Sequence, residues 1–321
     1  MLARMWGLVA LMISVTVGSP VCAGPSLLFD AANGAVLYAE DPDTPWHPAS
    51  LTKMMTAYLT FVAIQDRTLA LEMPIACSKL ANGQDPTTLG LPVGATITVE
   101  TALQALIMKS ANDVAVMLAE AVSGSHETFV DYMNGMAARL GMMRTKFANA
   151  SGLPDPFQVT TARDMGKLAA AIVRDFPQYA YMWALREMRV GKQRLRTHNV
   201  LLTHYPGGDG MKGGFICDSG FNLVASATRA SHKLIAVVLG EATAQERSLR
   251  AANLLEHGFR TYAWKSLFNP QTLDTMRIDE SAKLTVTKPV KVYSPVCGTG
   301  VRPVARSART GGAPPPTWTS Y

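Results

Sequence analysis

Ser50 and Lys53 stand three residues apart, a spacing that puts both side chains on one face of a helix. A serine hydroxyl attacks a carbonyl only when a base takes its proton. A lysine can be that base when burial or neighbouring positive charge depresses its pKa. The segment that follows, residues 51–64, is apolar nearly all round, with Met54, Met55, Tyr58, Leu59, Phe61 and Val62. Such a helix lies inside a domain rather than on it, so Lys53 is carried into a poorly solvated place. Ser50 is also the only serine in the chain with a lysine at the third position after it.

Two further groups complete a constellation. Ser110-Ala111-Asn112 falls about 60 residues on, at a break between helical patterns, and Lys212-Gly213-Gly214 opens a β-prone run about 100 residues after that. Each group alone is a common cap or turn. Together, in this order and on a buried helix, then a helix break, then a strand edge, they are improbable as a coincidence.

Taken together, the three groups resemble the motif set of the penicillin-recognising serine enzymes, and more narrowly the low-molecular-weight D-alanyl-D-alanine carboxypeptidases. The stretches PASLTKMMT (48–56), NASGLPD (149–155), TTARD (160–164) and GMKGGFICDSGFNLVASAT (210–228) carry the likeness, which covers about residues 25–262. The resemblance implies that Ser50 forms an acyl-enzyme, Lys53 accepts its proton and Ser110 relays a proton to the leaving D-alanine. It further implies that Asn112 bonds the substrate amide and Lys212 attracts the terminal carboxylate. The oxyanion hole would be the N–H groups of Ser50 and Phe215, and glycine at 214 would let the substrate backbone approach the strand.

The implied activity is removal of the terminal D-alanine from peptidoglycan stem peptides, inhibited by penicillin. The implied partners are those peptides and β-lactams, with no cofactor. Cleavage of cross-links by the same machinery, or a catalytically weak wall-binding homologue, are the alternatives. A β-lactamase is disfavoured: between Asn112 and Lys212 no glutamate opens the Glu-x-x-Leu-Asn pattern that a deacylating water needs. The family usually has threonine or serine where Gly213 stands. A hydroxyl bonding a carboxylate is worth roughly 1.5 to 3 kcal/mol, so its loss should weaken substrate about 10- to 150-fold without abolishing catalysis. Basic residues between 186 and 196 could compensate, and Gly213→Thr should lower KM.

These residues need elements to hold them. Residues 26–29 and 35–39 form a hairpin around Asn33-Gly34. The buried helix follows Pro48, and a polar, Gly/Pro-containing loop spans 82–94. Helical patterns run from Thr98 to Gly124 with the break at 110–112, then over 125–140 and from Thr161 to before Pro177. Strands are expected over 189–196, 211–217, 222–228 and 234–239. A last helix starts at the capping pair Thr243 and Glu246. This is an α/β (α+β) layout of the β-lactamase/transpeptidase-like kind, a mainly antiparallel sheet flanked by helices with a helical cluster inserted.

Composition bounds the rest. At 321 residues, 48% apolar and 17% charged, the chain can bury a large core. Residues 1–23 read as an export signal, with Arg4, an apolar run over 6–17 and a small-residue site at 21–23; an uncleaved anchor is the alternative. The expected location is therefore the periplasm, soluble or peripheral to the inner membrane. The catalytic domain is expected over 24–263, which is neutral at 21 basic against 21 acidic residues. Residues 264–321 hold eight Lys/Arg against three Asp/Glu and read as a disordered basic tail able to touch membrane or wall, apart from an alternating strand-like run at 284–292. No stacking pattern suggests nucleic acid. The histidines form no HExxH or HxH cluster and the cysteines no metal spacing, so no metal is expected. The odd set Cys77, Cys217 and Cys297 leaves the pairing open, with Cys217 read as a buried apolar residue.

Overall fold

The computed structural model describes residues 24–191, 193–265, 271–280, 286 and 292–298. The expected export signal, and most of the run at 284–292, lie outside the described residues. In chain order the elements are β1 (Ser26–Asp30), β2 (Val36–Glu40), α1 (Lys53–Gln65), β3 (Pro74–Ala76), α2 (Lys79–Asn82), β4 (Thr96–Thr98), α3 (Val99–Met108), α4 (Asn112–Ser123), α5 (His126–Arg139) and α6 (Ala162–Asp175). They continue with α7 (Ala180–Trp183), β5 (Glu187–Val190), β6 (Gln193–Arg196), α8 (Val200–His204), β7 (Gly208–Ile216), β8 (Gly220–Arg229), β9 (His232–Glu241) and α9 (Ala244–Lys265).

A five-stranded sheet in the order β2-β1-β9-β8-β7 is antiparallel throughout and is built from both ends of the domain. Its two faces read directly from residue parity. Leu27, Phe29, Ile235, Val237 and Leu239 join the core of the helical cluster. Their neighbours Leu28, Leu234, Ala236 and Val238 pack with Ala251, Ala252, Leu254 and Leu255 of α9. With both faces covered, the central strands need apolar residues at every position. The helical cluster, α1 to α7, is inserted between β2 and β7, as expected. Thr98, Ser125, Thr161 and Thr243 cap α3, α5, α6 and α9 by accepting a backbone N–H.

Two expectations change. The single strand expected over 189–196 is a separate hairpin, β5 paired with β6, because Gly191 takes φ +54° and reverses the chain. The expected free tail after residue 263 is partly docked. Leu273 is buried, and the backbone at 272 bridges to Ala35. Arg163, in a buried ion pair with Asp43, donates to the carbonyls of Leu273, Met276 and Arg277. Cys297 is bonded to Cys217, which is exposed and not the buried apolar residue expected; Cys77 is the free, buried one. A basic, Pro/Gly-rich composition hid these anchors because the acceptors are backbone carbonyls, which any residue supplies.

Candidate active site

The site forms where the N-terminal end of α1, the α3–α4 break and strand β7 meet. A 3-10 turn, Ala49–Thr52, precedes α1, and Ala49 is held at φ +49°, a conformation that costs a non-glycine residue roughly 1 to 3 kcal/mol. Three neighbours enforce it. Asn222 of β8 donates its amide to the carbonyls of His47 and Pro48 (2.9 and 3.2 Å). Gly214 of β7 lies so close that a Cβ there would sit 2.9 Å from Ser50 N and 3.1 Å from Leu51 N. Gly152, at φ +85°, would place a Cβ 1.9 Å from the Ala49 carbonyl oxygen. Glycine at 214 is therefore needed for the close approach of β7 to the turn that carries Ser50.

Lys53 is fully buried at the first turn of α1. Its Nζ lies 3.2 Å from Ser50 Oγ and 2.6 Å from Asn112 Oδ1, and it also donates to the Ser151 carbonyl. Burial, reinforced by the charge of Lys212 and opposed by Asp113, holds its pKa well below the usual lysine range. A neutral amine has two N–H donors and one lone pair. Asn112 Oδ1 and Ser151 O can only accept, so they take both donors and leave the lone pair to the Ser50 hydroxyl. Lys53 is thus arranged as a base.

Ser110 sits at φ +63° in the break between α3 and α4, and its Oγ accepts from Lys212 Nζ at 2.8 Å. Lys212 also donates to Gly213 O (2.9 Å), and burial together with the charge of Arg247 lowers its pKa to about 7. Asn112 spends its carbonyl on Lys53 and an amide N–H on Asp85 O (2.7 Å), so it positions the base with one N–H left for substrate. The expected loop at 82–94 holds this corner through Asp113, whose carboxylate accepts from Leu89 and Gly90.

The structure thus gathers Ser50, Lys53, Ser110, Asn112, Lys212, Gly214 and Phe215 around one cleft of about 530 Å³. Sequence reasoning missed Arg247. It projects from α9 into the space a side chain at 213 would use, its Nη1 only 3.2 Å from where a Gly213 Cβ would lie. It is half-buried, its Nε is enclosed with no hydrogen-bond partner, and its Nη1 has only a long bond to Asn222 O (3.4 Å). Burial lowers its pKa to about 10, which leaves it charged at neutral pH. Among the described residues of the β5–β6 hairpin, Arg189, Arg194 and Arg196 do not line the cleft; Thr197, His198 and Asn199 just beyond them do. Among the described residues no group of three or more His, Cys, Asp or Glu could hold a metal ion.

With this geometry in hand, the comparisons are specific. The family described as D-alanyl-D-alanine carboxypeptidase matches residues 14–243. The chain belongs to this family. D-alanyl-D-alanine carboxypeptidase DacC of Escherichia coli is 36% identical over 272 residues, which is 82% of this chain and 68% of that one. Penicillin-binding protein 5 of Haemophilus influenzae superposes with a TM-score of 0.72 at 34% identity, covering 76% of this chain and 72% of that one. Penicillin-binding protein D2 of Listeria monocytogenes, solved with ampicillin bound, gives a TM-score of 0.68 at 29% identity, over 74% of this chain and 97% of that one. Arg247 and Cys297 lie beyond the matched family segment.

Proposed function

We propose that this chain removes the C-terminal D-alanine of peptidoglycan stem peptides, with Ser50 as nucleophile and Lys53 as general base, and that β-lactams acylate the same serine. The observation that carries the reading is the pairing of a desolvated, base-ready Lys53 on Ser50 with Lys212 and the unsatisfied Arg247 a few side chains away. One end of the cleft activates a hydroxyl and the other awaits a carboxylate, as cleavage next to a free C-terminus requires.

In acylation the Ser50 proton passes to Lys53 Nζ as Oγ bonds the penultimate carbonyl carbon. The oxyanion is held by the N–H groups of Ser50 and Phe215, brought together by the contact of Gly214 with the nucleophile's turn. When the C–N bond breaks, the departing amine takes a proton from the Ser110 hydroxyl, which is replenished from Lys212, and the proton that Lys53 took from Ser50 is passed on to refill Lys212, so that Lys53 is neutral again. Water then releases the acyl group with Lys53 again as base. The substrate's carboxylate rests on Arg247 and Lys212, so the hydroxyl absent at 213 is replaced by a guanidinium.

Work outside the cytoplasm fits the Cys217–Cys297 disulfide, since such bonds persist in oxidising compartments. No described helix is long and apolar enough to cross a membrane. Contact of the C-terminal basic residues with membrane or wall remains part of this proposal. The test is intact-mass analysis after benzylpenicillin treatment, with D-alanine release measured in parallel: one adduct per chain, absent in Ser50→Ala, is expected. An adduct that survives Ser50→Ala would overturn the assignment.

A further inference from the structure

Residues 292–298 lie beside the catalytic cleft. Val292 is buried, Tyr293 N–H donates to the Ala242 carbonyl (3.0 Å) at the start of α9, and Ser294 is buried. The short turn Pro295–Cys297 is then fixed by the disulfide from Cys297 to Cys217, the residue directly after β7. Between the two anchors Val296 is 83% exposed, yet it lines the cleft alongside Phe215, Ile216 and Cys217. An apolar side chain held in solvent by a covalent staple 80 residues across the sequence is a wall built for something to lean on.

We propose that this stapled turn forms the subsite for the peptide residue preceding D-Ala-D-Ala, and that Val296 is a specificity-determining residue there. The inference rests on the assignment of Ser50 and of the carboxylate end above. Among the described residues strand β7 is the edge of the sheet, with no further strand paired to it. A peptide whose carboxylate sits on Lys212 and Arg247, and whose scissile carbonyl reaches Ser50 beside Gly214, runs along β7 from residue 212 toward 217. At roughly 3.3 Å per residue the next position upstream lies beside Ile216 and Cys217, where Val296 stands. Val296 presents only methyl groups, so it matches a long aliphatic stem, such as that of a diamino acid, and not a charged head. Cys297 acts through Val296: it is a positioning residue.

The experiment compares D-alanine release by the full-length wild type, Val296→Ser and Cys297→Ser on two acetylated tripeptides, one with lysine acetylated on both nitrogens and one with glycine before D-Ala-D-Ala. The glycine peptide has no side chain to meet Val296. Both variants are expected to raise KM for the lysyl peptide about five- to tenfold with kcat unchanged, the lower end of what a lost methylene contact commands in a pocket. KM for the glycyl peptide should stay within about twofold of wild type by the same contact argument. Wild type treated with dithiothreitol should behave as Cys297→Ser. Val296→Ser without effect on the lysyl peptide, or equal changes for both peptides, overturns the subsite. Failure of the wild type to release D-alanine from either peptide would instead overturn the reading of the site itself.

Discussion

Replacing Gly213 with threonine restores the hydroxyl that the family usually carries, and the structure predicts that it harms the enzyme. The Cβ alone would lie 3.2 Å from Nη1 and 3.7 Å from Cζ of Arg247, and threonine adds two branches beyond it. Arg247 would have to leave, although Phe221 packs beneath it with the ring centroid 6.0 Å from Cζ. Arg247→Ala measures what is lost: a hydrogen bond from a charged donor is worth about 1.5 to 3 kcal/mol, or about a 10- to 150-fold rise in KM. The carboxylate is held alike in ground and transition states, so kcat should hardly move. Gly213→Thr should raise KM in the same direction by displacing the guanidinium.

The decisive step is the double variant. With alanine at 247 the space beside residue 213 is vacant, and the threonine hydroxyl can take up the carboxylate. Gly213→Thr should therefore raise KM in the wild type and lower it in Arg247→Ala, a sign reversal that marks direct coupling. The assay is steady-state D-alanine release, with melting curves to confirm folding. A lower KM for Gly213→Thr in the wild-type background would refute the assignment of Arg247.

Three other outcomes are expected. Lys212 has its pKa lowered from 10.5 to about 7, so between those values the unfolded chain holds more protons and stability climbs with pH; Lys212→Met should melt above wild type at pH 7, with the advantage fading toward pH 10, as calorimetry would show. Truncation after residue 265 removes buried Leu273 and the carbonyl partners of Arg163; the buried leucine alone is worth about 1.5 to 3 kcal/mol, so a fall in Tm of roughly 5 °C or more is expected, and an unchanged Tm would show the docking to be idle. Gly152→Ala would drive a Cβ into the Ala49 carbonyl and should slow penicillin acylation at least about 100-fold by shifting Ser50, while leaving a folded protein by circular dichroism.

The parts of the site that speak through residue type were legible in the sequence: a serine and lysine on one helical face, a serine at a helix break, a lysine opening a strand. The antiparallel sheet and its inserted helices followed from periodicity for the same reason. What stayed hidden acts through position. Ser151 contributes a carbonyl, which every residue has, and Gly152 a missing Cβ whose value depends on Ala49, about 100 residues earlier. Arg247 is one of 30 Lys/Arg, and nothing in the α9 pattern marks it as the one turned inward. Cys217 and Cys297 could be paired only once the chain's return to the cleft was known.

Three cations converge in this cleft, and none of them forms an ion pair among the described residues, yet they do different work because they respond differently to burial. Lys53 is the deepest in effect: desolvation and a like charge hold its pKa well below the usual lysine range, which is the direction a base facing a serine hydroxyl needs. Arg247 cannot discharge near neutrality even with its pKa at about 10, so it keeps a permanent charge for the carboxylate. Lys212, at about 7, stands between them and touches Ser110, so it can give up or regain a proton during turnover at little cost. A carboxylate arriving on Arg247 adds a negative charge beside Lys212 and favours its protonated form; that charge then depresses Lys53 further. A bound carboxylate would therefore keep the proton donor at the leaving-group end loaded while holding down the pKa of the amine beside Ser50, and both effects come from one anion placed where the glycine at 213 leaves room for arginine.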